Sequence, residues 1–503
     1  MSSELANSTT PGRLLVAYSM TSTHVQTTLD YLLAVNRYSG LDVSYLHVTH
    51  GARIEFDFSG FDIVFHNYCA RLIFDDYVSA SYRAALRAFP GLKVLAVQDE
   101  YDATDKLKAA IKDLGFHIVL TCVPQDSLEY VYPRADFAGV EFITVLTGYV
   151  PDEFARSAPP SQPLSERPIL IGYRGRDLGA VYGRLGREKY EVGERMREVC
   201  DRLGVRCDIA MDERSRIYGP AWLQFIGSCR SMLGSESGSN VFDFDGAIRR
   251  QFNKMMKETG RPPTHAEFEH VNVGRDGAID MGQISPRVFE CAVMRTPMVL
   301  LRGRYSGAIE PDVHYIALEK DYSNAEAVIA RLEDVGALAA MAERTHRHLV
   351  ASGQFGYRHF WEALLPRLET RLLGRTGSTA ATWAATRASI ERLTADRHSL
   401  SEVPTVTPKA MADFRRQQLK VNRHELGLAF GGLWTVLTAY MPGQMKRRIG
   451  RGLKAALEAN GQGRSPNLVD RIYLAVWQLL PAFIKANLDS KLKQIEYANH
   501  ERK

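Results

Sequence analysis

At 503 residues the chain is too long for a single ordinary core, so two or three domains are expected. Hydrophobic residues make up 45% and charged residues 24%, which excludes a mainly disordered chain, a collagen-like repeat and a polytopic membrane protein. The six cysteines are scattered without a CxxC pair, so neither a disulfide framework nor a Cys-based zinc site is expected, and a reducing cytosol fits best. The polar stretch from residue 1 to 12 predicts no secretory signal.

Short apolar runs alternate with amphipathic stretches over the first 150 residues. The predicted strands are Leu14–Tyr18, Leu41–Val48, Phe61–His66, Leu92–Gln98, Ile118–Thr121 and Phe142–Thr144. The predicted helices between them are Thr23–Asn36, Asp76–Phe89 and Lys106–Leu114. Nearly continuous apolar strands alternating with helices indicate a parallel sheet covered on both faces. Residues 12–150 are therefore predicted to form one Rossmann-like domain.

A second alternating series follows a stretch rich in proline and serine, Ala155–Arg167, which is typical of an interdomain linker. Its predicted strands are Ile169–Gly172, Cys207–Ala210, Ser231–Gly234, Met298–Leu301 and Tyr315–Leu318. Its predicted helices are Gly193–Leu203, Ala221–Ser228, Pro286–Met294, Ala325–Leu332 and Val335–Leu349. Residues 165–372 are predicted to form a second Rossmann-like domain, with the polar stretch 240–282 as an insertion that fits neither period.

The region from residue 373 to 503 has no strand pattern and is predicted to be a basic helical extension. Residues 409–503 carry 17 Lys or Arg against 7 Asp or Glu, a net charge of +10 in a chain whose net charge is +5. Two apolar stretches, 426–441 and 472–484, border clusters of Lys and Arg. Such stretches either lie on an anionic membrane surface or pack together, within one chain or across a homo-oligomer.

Two parallel α/β domains place ligands in the cleft outside the carboxyl ends of their strands. The sequence contains no GxxxxGK[ST], GxGxxG, HExxH or GxSxG motif. These absences count against an ATPase, an ordinary NAD-dependent dehydrogenase, a zinc peptidase and an α/β-hydrolase.

The run from Ser285 to residue 301 predicts a helix, a turn and a buried strand, with Ser285 as N-cap and proline at the first helical position. This run resembles the retaining GT-B glycosyltransferases, which carry Glu-Ala-x-Ala-x-Gly-Thr-Pro at this place. Glu290, Thr296 and Pro297 match that pattern, whereas Arg295 replaces the usual glycine. The resemblance implies that Glu290 accepts hydrogen bonds from the ribose hydroxyls of a nucleotide. The alternative is an ordinary surface glutamate.

Those enzymes carry a second glutamate eight residues earlier, where this chain has Gly282. Glu236, which follows a predicted strand and a small-residue loop, resembles that glutamate, with the insertion separating the two halves of the pattern. The resemblance implies that Glu236 contacts the donor sugar and that the amides of Ser237, Gly238 and Ser239 lie near the leaving phosphate. The alternative is a tight turn with an exposed glutamate.

The family also places cations after the first strand of its second domain, where they neutralise the leaving diphosphate. The corresponding candidates here are Arg174, Arg176 and Lys189. Each of them alone is equally compatible with a surface cation. A second resemblance covers residues 304–316, where a backbone nest for phosphate or sugar oxygens is predicted at Tyr305, Ser306 and Gly307.

Polar residues also follow the predicted strands of the first domain, where the resemblance implies an acceptor side. Ser22 and His24 lie in the loop after the first strand, and His66, Asp99 and Glu100 each end a buried strand. These residues are candidates for acceptor binding or base chemistry. His66 as a buried, hydrogen-bonded core residue and the acidic pair as a helix cap are the alternatives.

The resemblance implies an α/β protein of GT-B fold that moves a sugar from a nucleotide-sugar donor to an acceptor hydroxyl, with retention, in surface polysaccharide or lipid-linked glycan synthesis. Glu236, Arg174 and His66 are the predicted catalytic residues. No cofactor, metal or nucleic acid is expected, and the predicted partners are a nucleotide sugar and a glycan or glycolipid. The expected location is the cytoplasm or the inner face of the membrane. A catalytically idle GT-B scaffold and a GT-B nucleotide-sugar epimerase remain alternatives.

Overall fold

The structure is a computed structural model that describes residues 12–23, 25–49, 51–159, 161–217 and 219–372. The predictions for His24 and for the extension at 373–503 lie outside the described residues. Within them, the chain forms two all-parallel sheets with helices on both faces. The predicted α/β class with two Rossmann-like domains is confirmed.

The first sheet has six strands in the order β2-β1-β3-β4-β5-β6, all paired in parallel. These strands are β1 Arg13–Tyr18, β2 Asp42–His47, β3 Ile63–His66, β4 Leu92–Ala96, β5 Ile118–Thr121 and β6 Glu141–Thr144. Neighbouring residues of one strand enter different hydrophobic clusters, as Leu14 and Leu15 do on the two faces of β1. Both faces of this sheet are therefore buried, which explains the continuous apolar runs of its strands.

The second sheet has five parallel strands in the order β11-β10-β9-β7-β8. These strands are β7 Ile169–Arg174, β8 Cys207–Ala210, β9 Cys229–Gly234, β10 Met298–Leu301 and β11 Ile316–Leu318. Met232 and Leu233 point into separate clusters on the two faces, so this sheet is also covered on both sides.

Thirteen α-helices occur in the described residues. In chain order they are α1 Gln26–Tyr38, α2 Ala80–Ala88, α3 Thr104–Leu114, α4 Leu128–Val131, α5 Asp152–Ser157, α6 Gly183–Leu203, α7 Pro220–Ser228, α8 Ala247–Thr259, α9 His265–Asn272, α10 Pro286–Val293, α11 Ala325–Arg331, α12 Val335–His346 and α13 Tyr357–Leu372. As the sequence predicts, the Ser285 side chain caps α10, accepting a hydrogen bond from the amide of Arg287. Gly204 ends α6 with a positive φ of 65°, a conformation that favours glycine.

The position of helix α13 differs from the predicted domain assignment. The sequence predicts that residues 165–372 form the second domain, but α13 packs on the first sheet together with α1. Its Trp361 and Leu368 are buried in the same cluster as Leu14 of β1. The pattern of the sequence predicts no helix at 357–372, and the sheet that covers α13 is decided by long-range packing.

The predicted insertion contains two helices, α8 and α9, and it contacts the first domain. A backbone hydrogen bond joins the amide of Asp243 to the carbonyl of Tyr101, and the amide of Thr104 donates back to Asp243. Phe242 and Met281 pack into the hydrophobic cluster of the first sheet. The segment 240–282 therefore connects the two domains and is called the strap below. Its polar sequence does not predict this packing.

The predicted linker is more ordered than its composition indicates. Helix α5 overlaps its start, and Arg167 at its end is buried. The guanidinium of Arg167 donates hydrogen bonds to the carbonyl of Cys229 at 2.9 Å and to the hydroxyl of Thr296 at 2.7 Å. These contacts fix the entry of the chain into β7.

Candidate functional site

A cavity of about 400 Å³ lies at the carboxyl edge of the second sheet. The ends of β7 and β9 and the first turns of α7 and α10 form most of its wall, and residues 25–27 at the start of α1 face it from the first domain. This size is within the range of small-molecule sites. The cavity therefore lies between the two domains, where parallel α/β sheets place their ligands.

The charged residues of the cavity wall are mostly cations. Arg174, Arg176, Lys189, Arg216 and Arg287 line it, and Glu290 is the one carboxylate among its described lining residues. Such a wall has a net positive potential and suits an anionic ligand that also carries hydroxyl groups.

Glu290 lies on the first turns of α10 and is half-buried in the wall. Its Oε2 accepts a hydrogen bond of 2.7 Å from the indole N–H of Trp222. Burial raises the pKa of Glu290, while that hydrogen bond and the charge of Arg287 oppose the rise. The structure therefore places this predicted residue at the cavity, with Oε1 making no hydrogen bond to a described residue.

Arg174 has a structural role that differs from the predicted one. Its guanidinium forms a bidentate pair with Asp208, at 2.8 and 3.0 Å, and donates to the carbonyl of Ser215 at 3.0 Å. It also stacks on the ring of Phe225, 4.2 Å from the ring centre. Because its donors are used within the protein, Arg174 ties β7 to β8 and is not a free phosphate ligand.

Arg287, Lys189 and Arg176 are better placed than Arg174 to meet a phosphate. Arg287 donates to the carbonyl of Arg174 at 2.6 Å, and Lys189 donates to the hydroxyl of Ser237 at 3.2 Å. Burial, followed by the charge of Arg287, lowers the pKa of Lys189 to about 8, so the ammonium is still charged at pH 7. Arg176 is exposed and forms no hydrogen bond or ion pair with another described residue.

Glu236 is buried behind the wall and does not line the cavity. Its Oε1 accepts hydrogen bonds from the amides of Arg304 at 2.5 Å and Tyr305 at 3.4 Å, and its Oε2 lies 3.6 Å from the ammonium of Lys320. A Cβ on Gly303 would lie 2.2 Å from the carboxyl carbon, so the glycine permits this close approach. The structure thus gives Glu236 the role of fixing the loop after β10 and does not support a contact with the donor sugar.

In the predicted phosphate loop at 237–239, the Ser237 amide and the Ser239 hydroxyl are engaged within the protein. The amide of Ser237 donates to the carbonyl of Gln283 at 2.8 Å, and the Ser239 hydroxyl is buried and donates to the carbonyl of Val241 at 3.0 Å. Gly238 has a φ of +95° and packs against Met281. Only the Ser237 side chain reaches the cavity, where it contacts Lys189.

The predicted nest at residues 305–307 has the expected left-handed backbone, with φ values of 46°, 55° and 72°. Its donors are already satisfied, however, because the amides of Ser306 and Gly307 donate to the carbonyls of Gly282 and Arg304. The Tyr305 ring is fully buried. None of the three residues lines the cavity, so the nest serves the protein and not a ligand.

Thr296 and Arg295 lie at the far end of α10 from the cavity. Thr296 is buried, and its hydroxyl donates to the carbonyl of Ile226 at 3.2 Å while accepting from Arg167. Its predicted part in donor binding is therefore not supported. Arg295 has a φ of 48°, a left-handed conformation that explains why the family pattern has glycine at this position.

His66 is a core residue. It is fully buried, its Nδ1 lies 2.9 Å from the hydroxyl of Tyr82, and its Nε2 lies 2.5 Å from the carbonyl of Ala70. Burial lowers the pKa of His66 to about 4. Because both ring nitrogens are occupied, the catalytic interpretation is not supported, and the buried alternative describes this residue.

The side chains of Glu100 and Asp99 have different surroundings at the end of β4. Glu100 is buried and accepts hydrogen bonds from the Thr121 hydroxyl, the Cys122 amide and the Tyr132 hydroxyl, and burial raises its pKa to about 7. It is thus neither an acceptor ligand nor a helix cap. Asp99 has a φ of 55°, is exposed, and accepts a hydrogen bond from the Tyr101 hydroxyl at 2.5 Å. Ser22, half-buried in the loop after β1, does not line the cavity.

No motif predicts Trp222, Arg287 or Arg216, although all three line the cavity. One signal was available for Arg287, because it precedes Glu290 by three residues and a helix places such residues on one face. Trp222 and Arg216 come from the segment before and within α7, which carries no motif of its own. Their proximity to Glu290 depends on the pairing of β9 with β7 and β10.

The described residues also bear on metal binding, membrane spans and disulfides. No group of three or more His, Cys, Asp or Glu residues in them is arranged to hold a metal ion. Over the same residues, no helix combines the length and apolarity needed to cross a membrane. All six cysteines are free thiols.

Comparisons with known proteins give similarity in structure only. No protein-family model matches the chain, and no curated protein matches it in sequence. Similar solved structures include HepE from Anabaena in complex with UDP, at 11% identity over 71% of this chain and 100% of that chain, with a TM-score of 0.42. An alpha-glucosyltransferase in complex with UDP-glucose and DNA containing an abasic site has 11% identity over 71% of this chain and 99% of that chain, with a TM-score of 0.43.

An α1,3-fucosyltransferase is also similar, at 10% identity over 75% of this chain and 94% of that chain, with a TM-score of 0.38. Two of these three proteins are glycosyltransferases by name, the class that the Glu290 motif resembles. At such identities and TM-scores the likeness assigns no activity to this chain. The sheets described above establish the fold class.

Proposed function

We propose that the protein is a glycosyltransferase that moves a sugar from a nucleoside-diphosphate sugar to an acceptor hydroxyl, with the cavity at the second sheet as the donor site. One observation carries this proposal. Arg176, Lys189, Arg216 and Arg287 surround a cavity in which Glu290 is the one carboxylate among the described lining residues. Cations suit a diphosphate, and a carboxylate suits the vicinal hydroxyls of ribose.

The cations have a second task during the reaction. As the bond from the sugar to the diphosphate breaks, negative charge grows on the leaving phosphate oxygen. Lys189 and Arg287 lie on the wall of the cavity and are fixed by hydrogen bonds to Ser237 and Arg174, so they stabilise this charge without reorganising. A retaining course, implied by the motif resemblance, is part of the proposal, with the leaving phosphate oxygen taking the acceptor proton.

The acceptor enters from the first domain. His66 and Glu100 are buried, which leaves Asp99 as the exposed predicted residue at the carboxyl end of β4. Asp99 does not line the donor cavity, but its negative charge raises the pKa of Lys189, which does line it. We assign Asp99 to binding an acceptor hydroxyl of a surface polysaccharide or lipid-linked glycan, at the cytoplasmic face of a membrane.

The proposal is tested by incubating the full chain with UDP-, GDP- and dTDP-sugars, with and without glycan and glycolipid acceptors. Transfer with a product of the same anomeric configuration as the donor, read by NMR, supports it. Interconversion of the free donor without transfer identifies an epimerase, and tight donor binding without any turnover identifies an idle scaffold. Either result contradicts the proposed activity.

A further inference from the structure

The side chain of Trp222 contacts both charged groups of the α10 helix in the cavity. Its indole N–H donates to Oε2 of Glu290 at 2.7 Å, and the guanidinium of Arg287 lies over its ring, 5.4 Å from the ring centre. Trp222 belongs to α7 and Glu290 to α10, so this contact joins two elements of the wall.

The indole is held in this orientation by its surroundings. Phe225, one turn along α7, stacks on Trp222 with a distance of 5.8 Å between ring centres and an angle of 26° between the planes. Arg287 is fixed in turn by Tyr173, over whose ring it lies at 5.0 Å, and by the carbonyl of Arg174. A ring fixed in this way directs its N–H at one carboxylate oxygen.

Glu290 therefore has two unlike oxygens. Oε2 is bound to the indole, and Oε1 makes no hydrogen bond to a described residue. The charged groups around this carboxylate are Arg287 on its own helix, Asp30 on α1 of the first domain and the cavity cations Arg176, Lys189 and Arg216, with the thiol of Cys291 beside it. Asp30 opposes the ionised form, whereas the indole N–H and Arg287 favour it.

We propose that Trp222 is a positioning residue of the donor site, which holds Oε2 of Glu290 so that Oε1 is directed at the ribose hydroxyls and ribonucleotides are selected over dideoxyribonucleotides. This inference rests on the proposed function, since it takes the cavity to bind a nucleoside diphosphate. It adds a residue that neither the motif nor the resemblance contains.

The inference predicts a change in both selectivity and pH dependence in Trp222→Phe, which keeps an aromatic ring and removes the N–H. The probes are UDP, GDP and ADP, and for the one that binds wild type most tightly, its 2′,3′-dideoxy analogue. Calorimetry from pH 5.5 to 8 gives the ratio of the two affinities. Since both probes carry the same diphosphate, protonation of the phosphate cancels in this ratio.

We expect wild type to prefer the ribose form roughly tenfold or more, as a hydrogen bond to a charged group allows. Glu290→Gln should abolish the preference at every pH. Trp222→Phe should reduce it at least threefold at pH 7 and should move the pH at which it disappears upward, because the carboxylate loses a donor that favours ionisation.

Trp361→Phe is the matched control. Trp361 is buried in α13 on the first sheet, and its indole N–H has no hydrogen-bond partner in the structure. This variant should keep the wild-type ratio and pH profile. If Trp222→Phe also keeps both while Glu290→Gln loses them, the role of Trp222 is wrong and the donor site stands. If wild type binds none of the three nucleotides and does not bind dTDP, the proposed function itself is wrong, and this inference with it. Binding of dTDP alone leaves the donor site standing and overturns this inference.

Discussion

Arg174 and Arg176 lie two residues apart at the end of β7, and their side chains have different surroundings. The guanidinium of Arg174 is bound to Asp208 and to the carbonyl of Ser215, whereas Arg176 is exposed at the cavity. The same residue type at the same strand end can thus stabilise the fold or meet a ligand, depending on whether a carboxylate from β8 reaches it.

Substitution of these two arginines by alanine should separate the two roles. Arg174→Ala should lower the free energy of unfolding by about 1.5–3 kcal/mol, because several hydrogen bonds of a charged group are lost and Asp208 loses its partner. Arg176→Ala should change it by less than about 0.5 kcal/mol while weakening the binding of nucleoside diphosphates. Urea denaturation and calorimetry measure the two quantities. Equal stability of both variants would contradict the structural role of Arg174.

The residues of the site differ in how far the sequence predicts them. Glu290 could be found because a short motif places it on a helix whose N-cap is Ser285. Glu236 resembles a ligand-binding residue in sequence, but its orientation toward the 303–305 loop depends on the close approach that Gly303 permits. His66 and Glu100 follow apolar strands as cleft residues do, yet their side chains turn into the core, where Tyr82 and Tyr132 supply partners.

At the scale of elements, the strands were the most predictable part of the molecule. The apolar runs of β5 and β10 match their predicted bounds because buried parallel strands leave a continuous hydrophobic signal. The bounds of β8 also match, although only Ile209 of this edge strand is buried. The strap at 240–282 is predicted as an insertion, but its contact with the first domain is not predicted, because the backbone hydrogen bonds to Tyr101 and Thr104 leave no pattern in its own sequence. The placement of α13 on the first sheet also depends on long-range packing, which its own sequence does not show.

The free energy of unfolding should depend on pH through Glu100, whose carboxyl lies between the ends of β4 and β5. Burial raises the pKa of this carboxyl from 4.5 to about 7, so the folded state holds its proton more tightly than the unfolded chain does. Its contribution to stability is complete below about pH 4.5 and declines as the pH rises to 7. The decline is about 3 kcal/mol at most, from the size of the shift.

Glu100→Gln should remove this decline, so the stability of wild type relative to the variant should fall as the pH rises from 4.5 to 7. Urea denaturation at several pH values measures the difference, in which the opposite dependence from His66 cancels because both proteins contain it. The exposed Glu55, changed to Gln, is the matched control and should show no such trend. If the free energies of unfolding of wild type and Glu100→Gln change in parallel from pH 4.5 to 7, the role given to Glu100 is wrong.

In the molecule as a whole, residues 409–503 carry a net charge of +10, and residues 1–408 carry a net charge of −5. We propose that this region attaches the chain to an anionic membrane surface, where each Lys or Arg contributes about 1 kcal/mol. The full chain should then sediment with anionic liposomes at low salt and less so at high salt. Reversing the charges of Lys446, Arg447 and Arg448 to glutamate should weaken this binding. Sedimentation that is insensitive to both changes would indicate packing or oligomerisation instead.

The proposed function depends on the binding of a nucleotide-sugar donor in the cavity by Glu290 and the surrounding cations. The most direct measurement is calorimetric binding of UDP-, GDP- and dTDP-sugars to wild type, to Glu290→Gln and to Glu198→Gln, an exposed control on α6. The account predicts that one donor class binds wild type and the control alike, and that Glu290→Gln weakens this binding by about 1.5–3 kcal/mol without a change in fold. Binding by Glu290→Gln as tight as wild type, or no binding of any donor by wild type, would contradict it.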